Sequence, residues 1–136
     1  EVRLCKQLQR PNVIAPGEQL PRVDILPVAI DASPALLEAA VASGAKGLVI
    51  DAIGRGHIPP SWIEPLGTLM SAGVPVVVAS STHWGRLAEV YEYPGSLAEQ
   101  VSLGALTANH LNARKARLRL MCALSCKMPI DQSIFS

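Results

Sequence analysis

Aromatic residues are scarce in this chain, at 4% of 136 residues, and charged residues reach only 17%. A core with so few aromatics must be built from Val, Ile, Leu and Ala, which suits a parallel sheet covered on both faces. Hydrophobic residues make up 49%. That balance excludes intrinsic disorder, which needs the opposite one. A net charge of +1 gives no electrostatic footing for nucleic acid or for an anionic membrane surface. No apolar run approaches the length that spans a bilayer. His57, His83 and His110 have no metal-ligand spacing, and there is no HxxxH or Cys/His cluster, so neither a metal nor another cofactor is expected. Cysteine is limited to Cys5, Cys122 and Cys126, an odd set without CxxC. Such a set reads as free thiols and leans towards a reducing, cytoplasmic compartment, with secretion left open. Cys122 and Cys126 would share one helix face, where disulfide geometry is rarely met. The sequence starts at Glu1 rather than Met, so it is expected to be a fragment or a processed product, and a signal peptide cannot be judged from it.

What is present is an alternation of short apolar runs and helical patterns. Residues 1–4 read as a short strand and 6–22 as a Pro-rich linker, so that 1–22 forms a connecting region and 23–136 one α/β domain. DILPVAI, residues 24–30, has the composition of a buried strand, with Pro27 favouring an edge position or a bulge. Ser33-Pro34 starts a helix whose inward stripe is Leu36, Leu37, Ala40 and Val41, and Gly44 stops it. A second strand covers 47–51. A helix follows over 59–72, with Ser61 and Glu64 at capping-box spacing and Pro65 tolerable only in its first turn. Gly73 ends that helix, and 74–79 is a third strand with Pro75 near its start. Residues 80–95 form a polar, irregular crossing. A short helical turn at 97–103, a last strand at 105–108, an amphipathic helix at 112–126 and a terminal helical turn at 131–136 complete the chain. The last long helix sets Ala116, Leu118, Leu120, Met121 and Leu124 against Arg114, Lys115, Arg117 and Arg119, which read as a solvated outer face. Strands alternating with helices imply βαβ crossovers. The expected fold is a three-layer, doubly wound α/β domain with a small parallel sheet of about four strands.

The chemistry-bearing stretch is Gly44-Ala45-Lys46-Gly47-Leu48-Val49-Ile50-Asp51-Ala52-Ile53-Gly54-Arg55-Gly56-His57-Ile58-Pro59-Pro60. A strand runs into a glycine-rich turn, and open α/β sheets bind ligands outside the carboxyl ends of their strands. Gly54 and Gly56 serve positive φ or the close approach of a ligand, or simply a tight turn. Arg55 could steer an anionic substrate, or be a solvated loop residue. His57 could donate to an amide oxygen or a carboxylate, or sit half-exposed at a loop end. The turn is neither a P-loop, lacking the Gly-Lys-Ser/Thr end, nor a dinucleotide fingerprint, lacking the third glycine. Asp51, at the end of the strand, could join the site, or serve as a turn carboxylate accepting backbone N–H groups. Ser80-Ser81-Thr82-His83 invites a Ser/His hydrolase, but there is no GxSxG elbow and the residues are too close in sequence to dock easily.

Together these pieces resemble the C-terminal domain of the L-asparaginase/glutaminase family. The resemblance runs through Pro21-Arg22-Val23-Asp24-Ile25-Leu26, the 44–50 strand, Gly54-Arg55-Gly56-His57-Ile58-Pro59-Pro60, Gly73-Val74-Pro75-Val76-Val77-Val78 with Ser80-Ser81, Gly85-Arg86-Leu87, Tyr91 through Gly95, and Lys115-Ala116-Arg117 with Leu120-Met121. It implies a small doubly wound domain that packs on a larger N-terminal one and reaches into the active site of a neighbouring subunit in a dimer or tetramer. It implies hydrolysis of asparagine, sometimes glutamine, through an acyl-enzyme on threonine. The family's TGGTI-like and GTDT-like motifs do not occur here, so no catalytic residue is assigned to this chain, which alone is expected to be inactive. Gly54, Arg55, Gly56 and His57 are implied substrate contacts, although many members carry asparagine where His57 stands. Ser80, Ser81, Glu89 and Glu92 are implied candidates for an interface or substrate loop. The alternative is a stand-alone α/β domain that binds a small ligand or a partner without catalysis.

Overall fold

Four short apolar segments pair side by side in a computed structural model that describes residues 13–136. They are β1 (Asp24–Pro27), β2 (Leu48–Ala52), β3 (Val76–Ser80) and β4 (Leu106–Thr107), all parallel and in chain order across the sheet. Between and after them run α1 (Ala35–Ala42), α2 (Ile63–Ser71), α3 (Leu97–Ser102) and α4 (Ala113–Ser125), with 3-10 turns at Pro60–Trp62 and Gln132–Phe135. The expected strand at 1–4 and the first part of the linker lie outside the described residues.

Because side chains alternate along a strand, each strand feeds two cores. Leu48, Ile50 and Ala52 of β2, with Val76 and Val78 of β3, pack on Leu37, Ala40, Trp62, Leu66 and Leu97. Val49, Val77 and Ala79 face the other way, onto Ala116, Leu120, Ala123 and Phe135. Helices therefore cover both faces, the three-layer α/β arrangement expected. Since the strands follow chain order, the second helical layer comes from α4 returning after β4. Burying each Leu, Ile or Val of these cores contributes about 1.5–3 kcal/mol, which is why so few aromatic residues suffice.

Several local expectations change. The first strand ends at Pro27, and Ile30 is 90% exposed. β1 is an edge strand, where a missing donor is tolerated. Pro34 already has helical dihedrals, and Ser33 Oγ accepts from the Ala35 N–H at 3.3 Å. Leu36 is exposed, because α1 turns only Leu37 and Ala40 fully onto the sheet. The Ser61–Glu64 capping box does not form: Ser61 lies inside a 3-10 turn closed by the Trp62 N–H on the Pro59 carbonyl, and α2 starts without a side-chain cap. Pro65 falls in the first turn of α2, where no internal hydrogen bond is lost. Leu118 on α4 is also exposed. The basic face of α4 is not wholly solvated, since Arg117 Nε donates to the Val23 carbonyl at 2.6 Å and Arg119 Nε to that of Ile134. These bonds tie α4 to the start of β1 and to the C-terminal turn.

Candidate functional site

The glycine turn leaves β2 at its carboxyl end and is closed on itself. Ile53 and His57 exchange backbone bonds, with Ile53 N to His57 O at 3.0 Å and His57 N to Ile53 O at 2.9 Å. Between them Gly54 has φ +57° and Gly56 φ +110°, conformations that side chains resist. A Cβ on Gly56 would lie 2.9 Å from Leu87 and 3.1 Å from Leu97, so this position also needs the missing side chain for space.

Three segments distant in sequence hold the three turn carbonyls. Ser80 Oγ, at the end of β3, donates to Gly54 O at 2.5 Å. The Ala88 N–H donates to Arg55 O at 3.3 Å from the irregular crossing. Gln100 Nε2, on α3, donates to Gly56 O at 2.7 Å. Ser80 also accepts from Thr82 N at 3.2 Å and pairs with Thr82 Oγ1 at 2.7 Å. Its hydroxyl is thus engaged in turn-building, the role the geometry offers in place of a nucleophile. Ser81 donates its N–H to Ala52 O at 2.9 Å, carrying the sheet ladder one step past β3.

His57 sits against Tyr91 and Tyr93, with ring centroids 5.4 and 5.2 Å away, and the two tyrosines lie 6.0 Å apart. Both tyrosine rings are about half exposed, so the cluster opens to solvent. His57 Nδ1 is buried without a protein partner. Burial, and then the charge of Arg55, hold the imidazole below its ordinary pKa. A neutral imidazole offers one donor and one acceptor, and the two phenols add hydroxyl groups of the same dual character. Such a rim can hydrogen-bond a primary amide or a carboxylate. Arg55 is exposed beside it.

The structure separates the two glutamates. Glu92 borders a cavity shared with Tyr93, Pro94, Ser96 and Glu99, next to the aromatic cluster. Glu89 lines a different cavity with Thr107, Asn109 and Gln132, beside β4. Asp51 is a strand residue, paired in register with Pro27 and Ala79, and not a turn carboxylate. The strand simply continues to Ala52. Burial raises the Asp51 pKa, with Arg114 across the face opposing it.

Tyr91, Tyr93 and Gln100 join the site without having been singled out as its residues in the sequence. A signal existed for one part of the scaffold. Ser96 and Glu99 stand at capping-box spacing, and in the structure Ser96 Oγ accepts from Glu99 N at 3.3 Å while Glu99 Oε2 accepts from Gly95 N at 2.7 Å. Nothing local marks a tyrosine or a glutamine as the neighbour of a histidine tens of residues away.

Comparison with known proteins places this geometry among relatives. Residues 22–133 match the glutaminase/asparaginase C-terminal domain. An L-asparaginase of Bacillus licheniformis is 31% identical over 119 residues, covering 88% of this chain and 34% of the relative. A probable L-asparaginase of Deinococcus radiodurans is 46% identical over 81 residues, covering 60% of this chain and 24% of the relative. Among solved structures, the probable cytoplasmic L-asparaginase of Campylobacter jejuni superposes with a TM-score of 0.72 at 32% identity, covering 86% of this chain and 35% of that one. The chain therefore spans about a third or less of the length of these relatives.

Proposed function

Since the chain belongs to the glutaminase/asparaginase C-terminal domain family, we propose that it is the substrate-positioning part of an amidohydrolase acting on asparagine or glutamine. In this reading Gly54 and Gly56 shape the turn, while Arg55 and His57 face the substrate. The attacking group comes from an N-terminal domain carrying the threonine motifs that this sequence lacks. The observation that carries the reading is the neutral, half-buried His57 framed by Tyr91 and Tyr93 at the carboxyl end of β2. Hydrolysis of an amide needs an activated nucleophile and a preorganised oxyanion site; this chain contributes recognition instead.

A partner surface is part of the same reading. Six large apolar residues stay exposed in the segments that follow β1, β2 and β3: Ile30, Ile53, Trp84, Val90, Tyr91 and Tyr93. Trp84 is 95% exposed. Exposed apolar surface, where it is contiguous, marks interaction sites. An N-terminal domain, and a second subunit in a homo-oligomer, are the partners that would cover them. A reducing, cytoplasmic setting agrees with free Cys122 and Cys126 and with the Campylobacter jejuni relative's being a probable cytoplasmic enzyme. Among the described residues no helix is long and apolar enough to cross a membrane.

The test is ammonia release from asparagine and from glutamine. Residues 1–136 alone should release none, and activity should appear when a separately made N-terminal domain is added. In the full-length protein, His57→Ala should lower kcat/KM for the preferred amide by about tenfold or more, the scale of one lost transition-state contact. Turnover by the isolated chain would transfer the chemistry to residues such as Ser80 and His83. Unchanged kinetics for both amides would remove His57 from the site.

A further inference from the structure

Gln100 is 1% exposed, the largest polar side chain among the fully buried ones of the described residues. Its Nε2 faces three carbonyl oxygens, those of Gly56 at 2.7 Å, Ser96 at 3.2 Å and Gly95 at 3.3 Å. Three acceptors in one direction fix the orientation of the amide, because the reverse orientation would set its oxygen against all three. Gly56 immediately precedes His57, and Gly95 in turn accepts from the Ile58 N–H at 3.0 Å, on the other side of His57. One buried amide therefore ties together the backbone on both flanks of the histidine. Among the described residues, two buried side-chain polar atoms have no protein partner: Gln100 Oε1 and His57 Nδ1. They belong to the two residues joined through the Gly56 carbonyl. Buried polar atoms without a protein partner call for an ordered water or a functional explanation.

We propose that Gln100 is the positioning residue of the site: its buried amide clamps Gly56 and Gly95 and so sets where the His57 imidazole stands at the mouth of the crevice. The imidazole ring itself lies against Tyr91 and Tyr93. A leucine at position 100 would keep the volume of the side chain and lose the donor. Glutamic acid would keep the shape and make the donor conditional on protonation, since a carboxylate cannot donate and would face three carbonyl dipoles. The significance for catalysis rests on the reading of His57 as a substrate contact; the clamp itself does not.

The experiment uses amide hydrogen exchange and imidazole NMR on residues 1–136, so it needs neither substrate nor a partner domain. Gln100→Leu should speed exchange at Gly56, His57 and Ile58 by about tenfold or more, the scale of one lost net hydrogen bond, and should shift the His57 ring signals. Amides of Val49 and Val77 in the central strands should keep their protection. Gln100→Glu should behave like the native chain at low pH and like Gln100→Leu once its carboxyl ionises, whereas the native chain shows at these amides only the His57 transition, which has the opposite sign and loosens them as pH falls. If Gln100→Leu does not fold, the pH series on Gln100→Glu decides alone. Unchanged exchange at the three amides, or acceleration spread evenly over the strands, would overturn the clamp. Faster exchange in Gln100→Leu together with unchanged kinetics in full-length His57→Ala fails the substrate-contact reading alone; unchanged exchange in Gln100→Leu together with lost activity in His57→Ala fails the clamp alone.

Discussion

Gly95 packs its backbone directly onto Ile58: the Ile58 N–H donates to the Gly95 carbonyl at 3.0 Å, and a Cβ on Gly95 would overlap the Ile58 carbonyl oxygen. The chain passes this point with φ +93°. Through this contact the crossing after β3 holds down the end of the glycine turn after β2. Gly95→Ala should therefore cost more than positive φ alone, which is worth about 1–3 kcal/mol. Gly73→Ala is the matched control, since Gly73 also has positive φ, at +85°, but open space around the missing Cβ. Urea unfolding of the two variants should place Gly95→Ala clearly below Gly73→Ala. Equal losses would mean that the contact carries no weight.

His57 should titrate below free imidazole, because burial is the larger cause and Arg55 the smaller one. Tyr91 and Tyr93 face it, with ring centroids 5.4 and 5.2 Å away. Arg55→Ala should raise the His57 pKa only part of the way back. The unfolded chain binds the proton more readily than the fold does. Stability is therefore complete above the ordinary histidine value and falls as pH drops through the window down to the depressed one. Imidazole shifts against pH measure the value, and thermal unfolding in the same buffers measures the linkage. A titration at or above the ordinary value contradicts the burial argument.

Asp51 works in the opposite sense. Its raised pKa means that the fold binds a proton more readily than the unfolded chain, so stability declines as pH rises from the ordinary aspartate value to the raised one. Asp51→Asn should melt higher than the native chain at neutral pH, with the gap closing below the ordinary value. Arg114→Ala should push the Asp51 pKa up further, since that charge opposes the shift. A native chain more stable than Asp51→Asn at pH 7 would show that the carboxylate has a favourable partner.

Two leucines on α4 test the layer that this helix forms. Leu120 is fully buried against Val49 and Val77, and Leu118 is 54% exposed. Leu120→Ala should cost about 2–5 kcal/mol. Leu118→Ala should stay within about 0.5 kcal/mol. Comparable losses at both positions would mean that α4 is rotated from the face described.

Much of the architecture was legible in the amino-acid order. The strands after residues 47 and 75 are almost wholly apolar on both faces, as burial in a covered parallel sheet demands. Gly44 and Gly73 stop α1 and α2 where a left-handed residue is required. These are local properties, carried by a few neighbouring residues each. The family resemblance was legible for the same reason, since its motifs are short and ordered along the chain.

Tertiary structure decided the rest. Leu36 and Leu37 are equally apolar, yet only Leu37 is buried, because the packing angle of α1 selects the face. Ser61 and Glu64 have the spacing of a cap, but two prolines ahead of them set a 3-10 turn instead. The site depends most on distance. Gln100 reaches the Gly56 carbonyl across 44 residues of sequence, and Ser80 reaches Gly54 across 26. Such contacts exist only after the sheet has brought the carboxyl ends of β2 and β3 and the start of α3 to one edge. The sequence by itself determined that a glycine turn would lie at that edge; folding determined which buried amide would hold its histidine and that the chain's two tyrosines would frame it.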